Sequence, residues 1–337
     1  MTNLHPLRLG ILGAANIARA FAHGVAPSPH LEIVALASRD PEKGRAFAQE
    51  IGVARVHASY EALLQDQDVD AVYIPLPNAL HAEWVIRAAE AGKHVLCEKP
   101  LAVSAAQTRA MFDAARKHQV QLAEAYPYRA QPQTLKLREL LAAGTIGKLQ
   151  LIQASFGFLF SDPANIRLNP ALGGGALLDA GSYVANFVRM VAGELPSRVH
   201  ASAHWAQSGV DRTMVATLEF RSGLLAQISC SFATAFHRRA LIVGDAGSLH
   251  TTFLNSPPEG GPPTIELRQG VRATAPLETI ETAGGSGFLA EAEAFWKLVV
   301  QGPAHWTGTT PQESIDTAVI LEAILHSAKA GDWVALA

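Results

Sequence analysis

The chain has 337 residues, of which 49% are hydrophobic and 17% charged, enough apolar material for about two cored domains and too much for disorder. A net charge of −3, from 27 basic and 30 acidic residues, gives no electrostatic reason to expect nucleic acid or an anionic membrane as a partner. Cys97 and Cys230 are the only cysteines, which excludes a disulfide framework or a cysteine metal cluster, and no apolar run approaches the ~20 residues that span a bilayer. Met1–Leu7 carries no signal-peptide pattern, and the first motif starts too early to survive removal of a leader, so a soluble, cytoplasmic protein is expected.

Leu7–Leu12 reads as a strand that runs into Gly13-Ala14-Ala15-Asn16-Ile17-Ala18 and a helix through Phe21. A strand, a tight glycine turn and a helix start make a dinucleotide fingerprint, G-x-G-x-x-G/A, with Ala15 at its second glycine. Gly10, Gly13, Ala15, Asn16 and Ile17 are then cofactor candidates, because free N–H groups at a helix N-terminus suit a pyrophosphate. An ordinary strand-to-helix turn is the alternative, and Ala15 puts a methyl where the backbone should approach the phosphates. The second strand, Leu31–Ala37, ends in Ser38-Arg39-Asp40, with Lys43 one turn into the next helix. A hydroxyl and two cations at this tip favour the 2′-phosphate of NADP, whereas a carboxylate there would favour NAD. Asp40 reads as a helix cap followed by Pro41, and Arg39 and Lys43 could equally be a solvated helix start.

The helix Glu42–Ile51, a short strand at Arg55–His57 and the helix Tyr60–Gln65 lead to a fourth strand, Val69–Ile74. Pro75-Leu76-Pro77-Asn78 ends that strand at the edge where a ligand lies in an open α/β sheet. Pro75, Leu76 and Asn78 join the cofactor candidates: Asn78 could cap the helix Ala79–Ala91 or bond the nicotinamide end. His81 is included with them, although a packed or solvated histidine is the commoner outcome.

His94–Cys97 is a buried strand ending in Glu98-Lys99-Pro100, whose Glu98 and Lys99 join the cofactor candidates. A lysine at a strand's carboxyl end, stiffened by a proline, is placed for proton transfer, and burial would move its pKa toward neutrality. A surface Lys-Pro turn is the bland alternative. The helix Ser104–His118 and the strand Val120–Ala125 close a doubly wound parallel sheet of Rossmann type over residues 1–125.

Residues 126–337 read as a second, substrate-binding and dimerising α+β domain. Tyr126-Pro127-Tyr128-Arg129 marks the crossover, followed by a helix Pro132–Ala143 and a long strand Leu149–Phe160. Gly173-Gly174-Gly175 then introduces a helix from near Ala176 that would put Asp179 and Tyr183 at i and i+4 on one face. A carboxylate and a phenol so placed suit holding and deprotonating a hydroxyl; a capping Asp and a packed Tyr are the alternative. Arg198–Trp205, Thr213–Arg221, Leu224–Phe232 and Arg238–Gly244 read as hairpin-linked strands of a mainly antiparallel open sheet, whose exposed face a second copy would cover. Asn255–Pro263 is a Pro/Gly-rich loop, and the helices Phe288–Val300 and Pro311–Ala330 end the chain.

Taken in order, the Gly10–Ala18 turn, Ser38-Arg39, Pro77-Asn78, Glu98-Lys99-Pro100 and Gly173-Gly174-Gly175 with Asp179 and Tyr183 resemble the glucose–fructose oxidoreductase / inositol dehydrogenase / MocA family along nearly the whole chain. The resemblance implies a nicotinamide cofactor in the first domain, hydride transfer at a sugar, polyol or diol in the second, no metal, and Lys99 as a catalytic residue. The Asp…His pair of inositol dehydrogenases carries over only to Asp179, because position 183 is Tyr. That variant resembles the branch containing NADP-dependent xylose dehydrogenases, dihydrodiol dehydrogenases and glucose–fructose oxidoreductase, as does Glu124–Arg129. The alternatives are an aldose or keto-sugar reductase and a non-catalytic cofactor sensor. Tyr126, Arg129, Phe158, Arg167 and Asn169 are candidates for the substrate pocket, and a homodimer or homotetramer through the second sheet is expected. In the family the Lys-Pro bond can be cis, which sequence alone does not decide.

Overall fold

The computed structural model describes residues 6–160, 162, 164–258 and 260–336. The expected absence of a leader in Met1–Leu7 falls mostly outside them. None of the described helices is long and apolar enough to cross a membrane. The chain divides into two compact units: one takes Met1–Ala102, Ala106–Ala130 and Gly285–Pro311, the other Val103–Ala105, Gln131–Gly284 and Gln312–Ala337. Contacts thus draw the division differently from the linear one expected at 125/126.

The first unit alternates β1 (Leu7–Leu12), α1 (Asn16–Val25), β2 (Leu31–Ala37), α2 (Pro41–Ile51), β3 (Arg55–His57), α3 (Tyr60–Leu64), β4 (Ala71–Ile74), α4 (His81–Glu90), β5 (His94–Glu98), α5 (Ala105–Lys117) and β6 (Leu122–Ala125). The strands pair in parallel in the order β3-β2-β1-β4-β5-β6, the doubly wound arrangement. Both faces are buried, which is why the strands are continuous apolar runs. Leu9, Ile11, Tyr73, Leu96 and Ala123 pack on one side and Leu12, Val72, Ile74, Val95 and Cys97 on the other. Asp40 caps α2 as expected, accepting from the N–H groups of Glu42 and Lys43 ahead of Pro41.

The second unit contains α6 (Pro132–Ala142), β7 (Leu149–Leu159), α7 (Ser182–Ala192), β8 (Arg198–Trp205), β9 (Asp211–Glu219), β10 (Leu225–Ser231), β11 (Ala233–Gly244), β12 (Gly247–Thr252), β13 (Thr264–Gln269) and β14 (Leu277–Glu281). Two helices follow: α8 (Gly287–Gln301) belongs to the first unit, and α9 (Pro311–Ala330), with β15 (Val334–Ala335), to the second. Nine strands form one sheet, β14-β13-β12-β11-β7-β10-β9-β8-β15, antiparallel except where β10 runs parallel to β7. Ile152, Ala154, Ala226, Ile228, Met214, Ala240 and Ile242 form its buried face. The alternate positions, among them Gln153, Gln227 and Val215, are exposed. A mainly antiparallel sheet was legible in the sequence, but β12, β13 and β14 were not read.

Candidate active site

The glycine turn of the first unit begins at Gly13, whose φ of +109° few side chains adopt and whose N–H donates to Ala37 O at 2.9 Å. Leu76 packs so closely that a Cβ on Gly13 would lie 3.0 Å from its Cδ2. Ala15, which has no side-chain oxygen, is the N-cap of α1, and the first turn holds no acid. Its leading N–H groups are therefore uncapped by side chains, as anion binding requires. Asn16 and Ile17 sit in this turn, with Asn16 Oδ1 accepting from Arg19 at 3.0 Å. Gly10 is different: it lies inside β1, where a Cβ would come 2.7 Å from Leu63. There it is a packing glycine, with Leu63 and Val69 filling the space a Cβ would take.

At the tip of β2, the buried Ser38 hydroxyl donates to Asp40 O at 2.8 Å and so shapes the turn. Arg39 is exposed and lies 5.8 Å above the Tyr60 ring; Lys43 is exposed one turn on. Among the described residues no carboxylate pairs with Arg39, which leaves this tip cationic.

The turn after β5 is held residue by residue. Glu98 is buried, and its Oε1 accepts from the Tyr73 hydroxyl at 2.6 Å; Tyr73 in turn stacks on Phe21 at 3.9 Å. Glu98 Oε2 accepts from the Lys99 N–H at 3.3 Å, and Glu124 Oε1 accepts from the Leu101 N–H at 2.8 Å. Between them the Lys99-Pro100 bond is cis. His81 Nδ1 meets Pro100 O at 2.9 Å and Nε2 meets Leu76 O at 2.8 Å. Burial pushes the His81 pKa down against the upward pull of these carbonyls, and the nearby Lys99 ammonium adds to burial. His81 is therefore a fully buried clamp between two strand-edge loops, with both ring nitrogens engaged by backbone carbonyls. Asn78 opens a short 3-10 turn, Asn78–Leu80, and the N-cap of α4 is Leu80, so Asn78 does not cap a long helix as expected. Pro75 is buried and Asn78 half-buried at the same edge.

In the second unit the glycine run shapes the site. Arg167 O accepts from Gly175 N at 2.8 Å and Asn169 O from Gly174 N at 3.0 Å, which folds the 165–172 loop onto the triplet. Gly175 has φ +118°, and a Cβ there would lie 2.3 Å from Asp211 Oδ1. Asp211 Oδ2 accepts from the Leu177 N–H at 2.7 Å. This anchoring starts a π-helical turn, Leu177–Gly181, before α7, where a plain α-helix was expected. Such wide turns recur at functional sites. Asp179 lies in this turn and its carboxylate takes Arg167 Nε at 2.6 Å. Tyr183 is buried in the first turn of α7, with its Oη accepting from Asn255 Nδ2 at 2.8 Å.

The pocket candidates divide. Tyr126 and Arg129 are core residues of the first unit, 1% and 2% exposed, with Arg129 Nη2 donating to Gly308 O at 3.3 Å. Their enclosure comes from the return of α8, which packs on the Pro127–Ala130 turn. Phe158 is half-buried in a ring cluster with Phe156 and Phe232. Arg167 serves Asp179, and Asn169 is exposed with its side chain capping Ala171 N. Sequence reasoning missed Asp211, Arg238 and Asn255. An arginine at an inward-facing strand position was the one available signal; nothing marked Asn255 in its Pro/Gly-rich loop.

A D-xylose 1-dehydrogenase (NADP(+)) from Haloferax volcanii is 38% identical over 98% of this chain and 100% of its own length. A trans-1,2-dihydrobenzene-1,2-diol dehydrogenase from Danio rerio is 35% identical over 88% of this chain and 89% of its own. Among solved structures, a 3-ketoreductase from Actinomadura kijaniata in complex with NADP and TDP-benzene matches with TM-score 0.87 and 31% identity, over 96% and 98% of the two chains. Residues 7–126 match the oxidoreductase family with an NAD-binding Rossmann fold, and residues 134–250 match the GFO/IDH/MocA C-terminal domain, so this chain belongs to the GFO/IDH/MocA oxidoreductase family.

Proposed function

We propose that the chain is an NADP-linked oxidoreductase acting on a carbinol of a sugar, polyol or diol, with Lys99 and Tyr183 moving the hydroxyl proton. The observation that carries this is the fixed strand-end turn. Glu98, Glu124 and His81 hold three consecutive residues, Lys99, Pro100 and Leu101, at the carboxyl edge of the nucleotide sheet. A lysine so held is pre-oriented for proton transfer. The residues fit the cofactor: α1 offers uncapped N–H groups to a pyrophosphate, and Arg39 with Lys43 supplies cations for a 2′-phosphate. When bound, the nicotinamide accepts or returns the hydride.

On the second unit, Tyr183 is the other acid/base group, and Asp179, steadied by Arg167, takes a substrate hydroxyl. The same residues serve oxidation and reduction, since proton and hydride steps run either way. Relatives named both dehydrogenase and ketoreductase support this reading. Matched structures of the ketoreductase also include a lysine-to-alanine and a tyrosine-to-phenylalanine variant. We further propose that a second copy covers the open face of the nine-stranded sheet.

A panel of sugars and diols is assayed with NADP⁺ by absorbance of the reduced cofactor. Lys99→Met and Tyr183→Phe are each expected to lose about 100-fold or more in kcat while still binding NADPH. Turnover within a few-fold of wild type in both variants would remove the mechanism. Tight NADPH binding with silence across the panel favours the sensor.

A further inference from the structure

Tyr183 stands in a setting that its proposed role does not account for. Arg238, on β11, is 6% exposed, a cation held among aromatic rings. Its guanidinium carbon lies 4.0 Å from the Tyr183 ring centroid, 4.8 Å from that of Phe156 and 4.9 Å from that of Phe253. Arg238 Nη2 donates to Asn255 Oδ1 at 3.2 Å, and Asn255 Nδ2 donates to Tyr183 Oη at 2.8 Å. The amide orientation is forced. Turned over, its NH2 would face the guanidinium donors and its carbonyl would be lost to the cation.

We infer that Arg238 and Asn255 form a positioning pair that turns the Tyr183 hydroxyl and stabilises its ionised form. The inference rests on the reading of Tyr183 as the acid/base group. A cation against the ring and an N–H donor on the oxygen both favour phenolate over phenol. Because Oη accepts from Asn255, its own proton points away from Asn255. A buried arginine is costly to desolvate, and an aliphatic side chain would fill a space lined by three rings at less cost. Among the described residues of this unit, three other titratable groups have engagements of their own. Asp179 is paired with Arg167 on the preceding turn. Burial pushes the Cys230 thiol, beside Gly181, well up. Asp211 is engaged with the backbone at Leu177.

The chain has five tyrosines, so subtracting the ultraviolet ionisation spectrum of Tyr183→Phe from that of the wild type isolates one phenol. That titration needs no substrate. Tyr183 is expected to ionise below the ordinary tyrosine value of ~10 in the wild type. In Arg238→Met and in Asn255→Ala its titration moves up by about one pH unit or more, while Arg238→Lys, which keeps the charge, retains part of the effect. If Arg238→Met does not fold, Asn255→Ala and Arg238→Lys decide the matter. An unmoved Tyr183 titration in the folded variants overturns the inference. Its failure is distinguishable from that of the underlying reading, which falls only if Tyr183→Phe keeps wild-type turnover.

Discussion

At Asp211 burial and backbone donors compete over one carboxyl group. Burial is the larger influence and pushes its pKa from 3.8 up to about 6, against the pull of the N–H groups of Leu177 and Ala176. A carboxyl that binds its proton more tightly when folded stabilises the fold most at low pH. That contribution is lost as pH rises from about 4 to about 6 and stays lost above. At ~1.4 kcal/mol per pH unit, its full size is roughly 3 kcal/mol. Asp211→Asn is therefore expected to flatten this step. Urea midpoints measured at intervals through this range should fall with rising pH in the wild type relative to the variant. Parallel curves for the two proteins would show that Asp211 does not titrate with folding. Nothing local in the sequence marks this residue. Its burial comes from meeting Gly175 and the π-turn more than thirty residues earlier in the chain.

Among the elements, those with a local signature were legible and those set by distant partners were not. The periodic runs at Leu7–Leu12, Leu31–Ala37 and His94–Cys97 gave their strands, and Asp40-Pro41 gave the start of α2. The i, i+4 spacing over Leu177–Gly181 predicts plain α-helix, because such spacing is blind to a widening imposed by Asp211. The β12–β14 strands carry charged and polar residues at alternate positions and sit among Pro/Gly punctuation, so their pattern is weak. His81 shows how the elements serve the site. It begins α4 yet ties the loop after β4 to the loop after β5 that carries Lys99. His81→Ala removes two buried contacts and leaves a cavity, and is expected to cost about 2–4 kcal/mol in denaturant unfolding. It should also lower kcat with NADPH affinity less affected, as Lys99 loses its fixed turn. A loss below about 0.5 kcal/mol would place His81 among the tolerant positions and end its role as a clamp.

For the whole molecule, helix periodicity announces α8 but not the sheet it packs on. Phe288 meets Phe21 edge to face and Trp296 stacks on His30, partners more than 250 residues away in the chain. The open face of the nine-stranded sheet poses the opposite question, since it has a pattern but no partner within the described chain. A shallow trough of about 770 Å³ runs along it, lined by Gln153, Ser155, Thr217, Gln227, Ser229 and Arg239 among others. Its side chains are the alternate register to those under α7, so it lies away from Tyr183 and is not a pocket for the proposed chemistry. Val215 and Leu225 are 49% and 45% exposed there, and Gln153 Nε2 donates to Gln227 Oε1 at 3.0 Å. Broad sheet faces of small and polar side chains pair well with their own copies across a two-fold axis. Light scattering at micromolar concentration is therefore expected to give a multiple of the 35.8 kDa chain mass. Val215→Lys with Gln227→Lys places like charges opposite one another across such an axis and should shift the population to monomer, with NADPH binding by the first unit retained. A wild-type chain that is already monomeric at those concentrations leaves the face without a second copy, and the proposed assembly with it.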